Sequence, residues 1–205
     1  SQQRWAKANE ARADAQIISE LAPHLNKDEN PRPNSSIENL AKLKPAFDPE
    51  GSVTPGNACG LADGAAALVF ASSDAAKRIG GKPKARIIGS AIAAIEPKDF
   101  AIAPVAAVQK LLAKLGMRAD QFDFVEINEA FAAQMLACIR DLKLDPARLN
   151  VWGGAIAVGH PIGMSGVRVV LNAMHQLNTL GGRYALAAIC GNGGQGAAIA
   201  LERAA

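Results

Sequence analysis

Three short segments of the sequence combine a reactive or polar side chain with glycines or with a predicted strand end. They contain Asn128 in INEAF, His160 in GGAIAVGHPIGMSG and Cys190 in CGNGGQG. An asparagine can donate to a developing negative oxygen, a histidine can move protons, and a thiol facing glycine N–H groups can act as a nucleophile or a proton-transfer group. These three residues are the candidates for catalysis.

Each candidate also has a structural interpretation. Asn128, taken alone, is better explained as a helix N-cap. His160 lies between Gly159 and Pro161 in a rigid turn. Glycines there let a ligand approach closely, so a core histidine is less expected. For Cys190, the residues alone support a buried cysteine ahead of a hairpin as well as they support a reactive thiol.

The other candidate side chains are assigned structural roles. His24 lies in a polar loop, His175 lies on a predicted helix, and Cys138 is interpreted as a small buried hydrophobe. Ser165 is placed to cap the helix that follows it. GNGGQG satisfies the spacing G-x-G-x-x-G, but the nine residues after Gly196 predict a strand and not the helix that a dinucleotide site needs.

The alternation of strand and helix patterns over residues 61–205 predicts an α/β layered domain, in which sites form where strands end. Proline-bearing and glycine-bearing loops are predicted over residues 22–36 and 45–60. The patterns predict helices at 1–19, 37–43, 74–81, 104–116, 129–142 and 165–182, and strands at 64–72, 85–95, 122–128, 149–154, 183–190 and 197–202.

Composition narrows the class of protein. About half of the 205 residues are apolar, the net charge is +3, and aromatic residues make up 4%, which favours a packed core and argues against nucleic-acid binding. The three widely spaced cysteines argue against a disulfide framework or a zinc site and favour a reducing, cytoplasmic compartment. No apolar run is long enough to predict a membrane span. The chain starts within a predicted helix, so we expect the protein's beginning to lie elsewhere.

Four segments in order closely resemble the C-terminal half of thiolases, which make or cleave 3-ketoacyl-CoA: GNACGLADGAAALVFAS, INEAFAAQ, NVWGGAIAVGHPIGMSG and CGNGGQGAAIALE. SQQRWAKANEA and RPNSSIENLAKLKPAFDPEGSVTPGNA look like the end of the thiolase loop domain. The resemblance covers nearly the whole chain. It implies the remainder of a loop domain over residues 1–45 and a C-terminal α/β domain over 46–205, with a mixed sheet and helices on both faces.

The resemblance implies a role for each candidate. His160 would activate a nucleophilic cysteine and help to bind the thioester oxygen, and Asn128 would hold a water in the same oxyanion hole. Cys190 would be the acid–base group that moves a proton at the carbon next to the thioester. The backbone N–H of Asn192 would contribute to a second oxyanion hole. The implied substrates are coenzyme A thioesters, with no metal or redox cofactor.

Three further residues, Phe47, Cys59 and Phe131, match family positions near the pantetheine of coenzyme A. Cys59 replaces the usual serine, Ala62 replaces a common asparagine, and Asn192 replaces a glycine. These departures motivate an alternative, a thiolase-like protein that binds acyl-CoA or lipid, or a structural subunit, without condensing activity. The intact catalytic candidates favour the enzyme, and asparagine tolerates unusual backbone angles, so the second oxyanion hole is expected to survive.

The family's nucleophilic cysteine belongs to its N-terminal half, which the resemblance places outside this chain. We therefore expect a second chain that carries the N-terminal half. An isolated C-terminal half would expose an apolar face that normally packs against its twin. The expected assembly is a heteromer, a dimer or tetramer of two-half units.

Overall fold

The computed structural model describes residues 1–12 and 28–204, and a four-stranded sheet lies at the centre of the described part. Short 3-10 helices occur at Pro97–Ile102, Ala119–Gln121, Pro146–Arg148 and Asn192–Gly194. The α-helices are α1 Gln2–Arg12, α2 Ile37–Leu40, α3 Ser73–Arg78, α4 Ala103–Leu115, α5 Ala132–Leu142, α6 Ala155–Val158 and α7 Ser165–Thr179, and the strands are β1 Ala85–Ala94, β2 Phe124–Ile127, β3 Tyr184–Gly191 and β4 Gln195–Arg203.

The sheet is mixed, as predicted, with the strand order β1-β4-β3-β2. β4 pairs antiparallel with both β1 and β3, and the β3–β4 hairpin predicted from two apolar runs is confirmed. β2 pairs parallel with β3, with Ile127 opposite Ala188. Asn128 directly follows β2, and Cys190 lies near the end of β3. Because neighbouring parallel strands end at the same edge of a sheet, both residues lie at that edge.

One face of the sheet is covered by α4 and α5 through an apolar core. Val108 and Leu111 of α4 pack with Val125 and Ile127 of β2 in one cluster. The helix predicted at 104–116 is observed as α4. It has a proline in its first turn and is capped at its C-terminus by Gly116, whose φ is 63°. A positive φ suits glycine, which has no Cβ to clash with the backbone.

The opposite face is covered by α7. Val169, Ala173 and Leu177 pack against Ala185 and Ala187 of β3, whereas the intervening residues of that strand belong to the α4 cluster. Alternate residues of a strand point to opposite faces, so the two helices lie on the two sides of the sheet. The predicted arrangement of helices on both faces is confirmed.

The strand predicted at 64–72 is wrong. This segment has no regular secondary structure, and the side chains of Val69 and Phe70 are 94% and 64% exposed. An apolar run favours burial, but a strand also needs a neighbouring edge that supplies hydrogen bonds. No strand of the described part of the chain pairs with this segment.

The strand predicted at 149–154 is also wrong, because the chain turns there. Leu149 makes a single parallel bridge to Val125, after which Asn150 and Gly153 adopt φ values of 45° and 81°. The Asn150 amide accepts from the backbone N–H of Ile127 and donates to its carbonyl, both at 2.9 Å. A side chain thus takes the place of the next strand partner.

The predicted helix at 1–19 is observed as α1 up to Arg12, and its remainder lies outside the described residues. The short helices predicted near residues 37 and 74 are observed as α2 and α3. Within residues 1–12 and 28–204, no helix combines the length and apolar character that crossing a membrane requires.

Candidate active site

A short segment, residues 57–60, joins the loops that carry the catalytic candidates. The N–H of Cys59 donates to the carbonyl of Ala130 at 3.1 Å, and the N–H of Ala132 donates to the carbonyl of Asn57 at 2.8 Å. The N–H of His160 donates to the carbonyl of Gly60 at 2.8 Å. The INEAF loop and the GHP turn are therefore held to one strip of backbone.

His160 lies between two polar side chains that decide which ring nitrogen carries the proton. Its Nδ1 lies 2.6 Å from Ser165 Oγ, which is itself 3.0 Å from the carbonyl of Pro161. A hydroxyl has one proton, and the carbonyl can only accept, so Ser165 donates to Pro161 and accepts from Nδ1–H. Nε2 is then unprotonated and accepts from Asn128 Nδ2 at 3.3 Å.

This tautomer makes His160 a base on the side that faces Asn128. Burial lowers the pKa of His160 below its ordinary value, and the positive charge of Arg168 lowers it further. Both effects disfavour the imidazolium, so the ring is neutral at neutral pH. A neutral imidazole with an unprotonated Nε2 can take a proton and then donate it to an oxygen.

Cys190 lies half-buried at the end of β3, next to the 3-10 turn Asn192–Gly194. Burial raises the pKa of its thiol, and nearby Cys59 raises it as well, whereas a backbone hydrogen bond lowers it. The thiol form therefore predominates at neutral pH, which suits a proton donor.

The turn after Cys190 depends on glycine at two positions that follow Asn192. Gly193 and Gly194 adopt φ values of 75° and 85°, whereas Asn192 has no positive φ. A Cβ at Gly194 would collide with the carbonyl of Ile95, whose N–H donates to Gly194 at 2.9 Å. Asn192, which the resemblance aligns with a glycine, therefore occupies an ordinary backbone conformation and is exposed.

The structure brings the three predicted substrate-binding residues together. The rings of Phe47 and Phe131 meet edge to face with centroids 6.5 Å apart, and Phe47 is 77% exposed. The backbone N–H of Cys59 donates a hydrogen bond to the carbonyl of Ala130, the residue that precedes Phe131. The exposed ring of Phe47, the half-buried ring of Phe131 and the half-buried thiol of Cys59 form an apolar surface. Their assignment to pantetheine stays a prediction.

Two of the structural interpretations are wrong. Asn128 does not cap a helix, because Phe131 is the N-cap of α5 and Asn128 is buried against His160. Ser165 does not cap α7, because it lies inside the helix with its hydroxyl between His160 and Pro161.

The structural roles of two other residues agree with the structure. Cys138 is buried, and this burial raises the pKa of its thiol to about 11, while Gln134 Nε2 contacts its Sγ at 3.6 Å. His175 lies exposed on α7. The prediction for His24 falls outside the described residues.

Glu129 and Arg168 also shape the site, although neither was among the site residues predicted from the sequence. The carboxylate of Glu129 accepts from Asn150 Nδ2 and from the N–H of Ile156, both at 3.0 Å. Arg168 Nη1 donates to the carbonyl of Gly159 at 2.9 Å. The available signal was helical spacing, because Ser165, Arg168 and Gln176 share one face of α7 with its apolar residues.

Comparison with known proteins identifies the family. The model for "Thiolase, C-terminal domain" matches residues 81–203, and the model for "Thiolase, N-terminal domain" matches residues 1–74. The chain belongs to the thiolase family. Within this family it is 50% identical over 99% of its length to a beta-ketoadipyl-CoA thiolase of Pseudomonas aeruginosa, and covers 53% of that protein. It is 43% identical over its whole length to human mitochondrial 3-ketoacyl-CoA thiolase, again covering 53%.

Solved thiolase structures have the same fold. The structure of human mitochondrial 3-ketoacyl-CoA thiolase in complex with CoA superposes with a TM-score of 0.90 at 41% identity, over 100% of this chain and 52% of that one. The Bacillus anthracis acetyl-CoA acetyltransferase gives a TM-score of 0.89 at 39% identity, over 99% of this chain and 53% of that one. The chain thus spans about half the length of the thiolases it matches.

The expected second chain carrying the N-terminal half is not supported. The N-terminal domain model matches residues 1–74 of this chain, so thiolase N-terminal sequence is present in it. The division at residue 45, the oligomeric state and the cytoplasmic location stay predictions.

Proposed function

We propose that the enzyme containing this chain is an acyl-CoA C-acyltransferase that forms or cleaves 3-ketoacyl-CoA by thioester Claisen chemistry. The observation that carries this proposal is the pairing of His160 Nε2 with Asn128 Nδ2 at 3.3 Å, where Asn128 follows β2 and Cys190 lies near the end of the neighbouring strand β3. A base, an amide donor and a thiol acid are the groups that such a reaction requires. The thiolases to which the chain is similar support the same chemistry.

In the cleavage direction, His160 Nε2 takes the proton of the nucleophilic thiol, a further cysteine that is none of Cys59, Cys138 or Cys190. The thiolate attacks the 3-keto carbon of the substrate. The C2–C3 bond then breaks, and its electron pair forms the enolate of acetyl-CoA. The protonated His160 and a water held by Asn128 stabilise the enolate oxygen.

Cys190 completes the first half of the reaction by donating its proton to C2, which releases acetyl-CoA. The resulting Cys190 thiolate accepts the proton of an incoming coenzyme A thiol, whose sulfur takes the acyl group from the nucleophile. The displaced nucleophilic thiolate recovers its proton from His160. Every proton is thus returned, and the reverse sequence condenses two thioesters without a metal or redox cofactor.

Binding of the coenzyme A thioester is assigned to the apolar surface around Phe47, Cys59 and Phe131. The human relative named above was solved with CoA, which supports a common ligand. The names of the relatives include thiolases for beta-ketoadipyl-CoA and for 3-ketoacyl-CoA in general. Acetoacetyl-CoA, the simplest 3-ketoacyl-CoA, is therefore the probe we choose.

The test measures acetoacetyl-CoA cleavage by the enzyme in the presence of coenzyme A. His160→Ala and Cys190→Ala are each expected to lower kcat by about 10³-fold or more, since each removes a group that transfers protons. His175→Ala and Cys138→Ala are the matched controls, because the same residue types are changed outside the site. Near-normal rates in either active-site variant would contradict the proposal and favour a binding protein without condensing activity.

A further inference from the structure

Arg168 is a buried cation that contacts Asn128 and the residue before His160. It lies on α7 and is 8% exposed. Its guanidinium reaches two targets: Nη1 donates to the carbonyl of Gly159 at 2.9 Å, and Nη2 lies 3.5 Å from Asn128 Oδ1. Gly159 immediately precedes His160, so one side chain bridges both loops of the site.

The chemistry of arginine determines how the Asn128 amide is oriented. A guanidinium only donates, so the Asn128 atom that faces Arg168 must be the oxygen. The NH₂ group is then directed to His160 Nε2, at 3.3 Å. Without this donor, the two orientations of the amide would be closer in energy, and one of them would turn an oxygen towards the unprotonated Nε2.

Arg168 is poorly explained as a stabilising residue. Burial lowers its pKa, whereas the carboxyl groups of Glu126 and Glu129 raise it when they are ionised. No carboxylate of the described residues forms a salt bridge with it. Burying a cation without a direct ion pair is costly, and apolar residues fill neighbouring positions of α7. The cost indicates a function in the site.

We propose that Arg168 is a positioning residue that orients the Asn128 amide and holds the Gly159–His160 turn in the oxyanion hole. This inference rests on the proposed function. Arg168 does not touch the substrate in this account. It acts through Asn128 and His160, so its contribution depends on their presence.

A double-mutant cycle in the complete enzyme tests this dependence. Arg168→Met is expected to lower kcat for acetoacetyl-CoA cleavage by about 10²-fold, comparable to losing an oxyanion-hole donor, with KM changed less than about threefold. In the Asn128→Ala background the same substitution should cost less than about tenfold, because its main target is absent. The inference would be overturned if the kcat of the double variant fell by the full product of the two single-variant losses. A normal kcat in Arg168→Met would also overturn it.

Two further variants control for folding. Arg168→Lys keeps the charge but lacks the planar fork that spans two acceptors, so an intermediate kcat is expected, coupled to Asn128 in the same way. Arg148→Met is the matched control, since Arg148 bridges the carbonyls of Asp120 and Phe122 at 2.9 and 3.1 Å away from the site. It should lower the thermal unfolding midpoint and leave kcat unchanged.

A crystal structure of Arg168→Met, or of Arg168→Lys if the first variant does not fold, separates the inference from the proposed function. The inference expects Asn128 Nδ2 to leave His160 Nε2. An Asn128 NH₂ group that still lies 3.3 Å from the ring, with its nitrogen and oxygen told apart by neutron diffraction, would overturn it, whatever the activity. A wild-type enzyme that does not cleave acetoacetyl-CoA would instead contradict the proposed function alone.

Discussion

Helices α4 and α7, which lie on opposite faces of the sheet, bury different kinds of residue. The buried residues of α4 are all apolar, whereas those of α7 include Ser165, Arg168 and Gln176 beside its apolar residues. β2 shows the same division, because Ile127 packs towards α4 while Glu126 receives a hydrogen bond from Gln176 at 2.6 Å. One face supplies stability, and the other also supports the catalytic side chains.

The largest expected effect on stability lies on the apolar face. Leu111→Ala removes a fully buried side chain of α4, and we expect a loss of about 2–5 kcal/mol in the free energy of unfolding. The kcat of the folded enzyme should not change, because Leu111 contacts no catalytic residue. Thermal unfolding and kcat are measured on the same preparation. A lowered kcat in fully folded Leu111→Ala would show that the α4 face also supports catalysis.

Glu126 on the polar face gives a stability effect that depends on pH. Burial raises the pKa of its carboxyl from 4.5 to about 8. Because the folded-state pKa is raised, its stabilising contribution is present in full below pH 4.5 and is lost as pH rises through about 8. Glu126→Gln should remove this fall in the free energy of unfolding, which in the wild type is on the order of a few kcal/mol between acid and mildly alkaline pH.

Unfolding midpoints measured from acid to mildly alkaline pH check the Glu126 prediction. The matched control is Glu50→Gln, since Glu50 is exposed. An equal decline with pH in wild type and in Glu126→Gln would show that the carboxyl is already ionised in the folded protein.

Ser165 is expected to affect activity more than stability. In Ser165→Ala the Nδ1–H of His160 loses its hydrogen-bond acceptor. The tautomer with an unprotonated Nε2 is then less favoured, so kcat should fall by about 10- to 100-fold. Ser165→Thr keeps a hydroxyl and should recover part of the loss. Equal kcat values for Ser165→Ala and wild type would mean that another group fixes the tautomer.

The smallest effect is expected at Gln176. Its Nε2 donates to Glu126, but its buried Oε1 has no hydrogen-bond partner among the described residues. Gln176→Met removes both the bond and the unsatisfied oxygen, so the free energy of unfolding should change by less than about 1 kcal/mol. Chemical denaturation measures this directly, and a loss above about 3 kcal/mol would mean that the Glu126 bond dominates.

The sequence predicted most of the fold because periodicity and glycine positions are local signals. The helix ending at Gly116 and the hairpin after Cys190 are examples. The strands predicted at 64–72 and 149–154 failed because pairing is a tertiary property. The first segment has no strand partner in the described part of the chain, and the second is replaced by the Asn150 side chain.

The site shows the same limit. Residue type and motif predicted Asn128, His160 and Cys190, whose chemistry can be inferred without knowing their neighbours. Ser165 and Arg168 were missed as site residues, because their importance depends on which face of α7 packs against the GHP turn. Polar residues at helical spacing within an apolar stripe were the available signal.

The most direct test of the central claim separates acyl transfer from proton transfer. The enzyme is incubated with acetyl-CoA in D₂O, and two rates are measured: exchange of the acetyl group with labelled coenzyme A, and exchange of the methyl protons with solvent. We expect Cys190→Ala to lose proton exchange and to keep a slower acetyl transfer, because solvent can take the proton of the coenzyme A thiol in place of Cys190 but cannot readily take the methyl proton. We expect His160→Ala to lose both. Proton exchange that persists in Cys190→Ala, or acetyl transfer that persists in His160→Ala, would contradict the account.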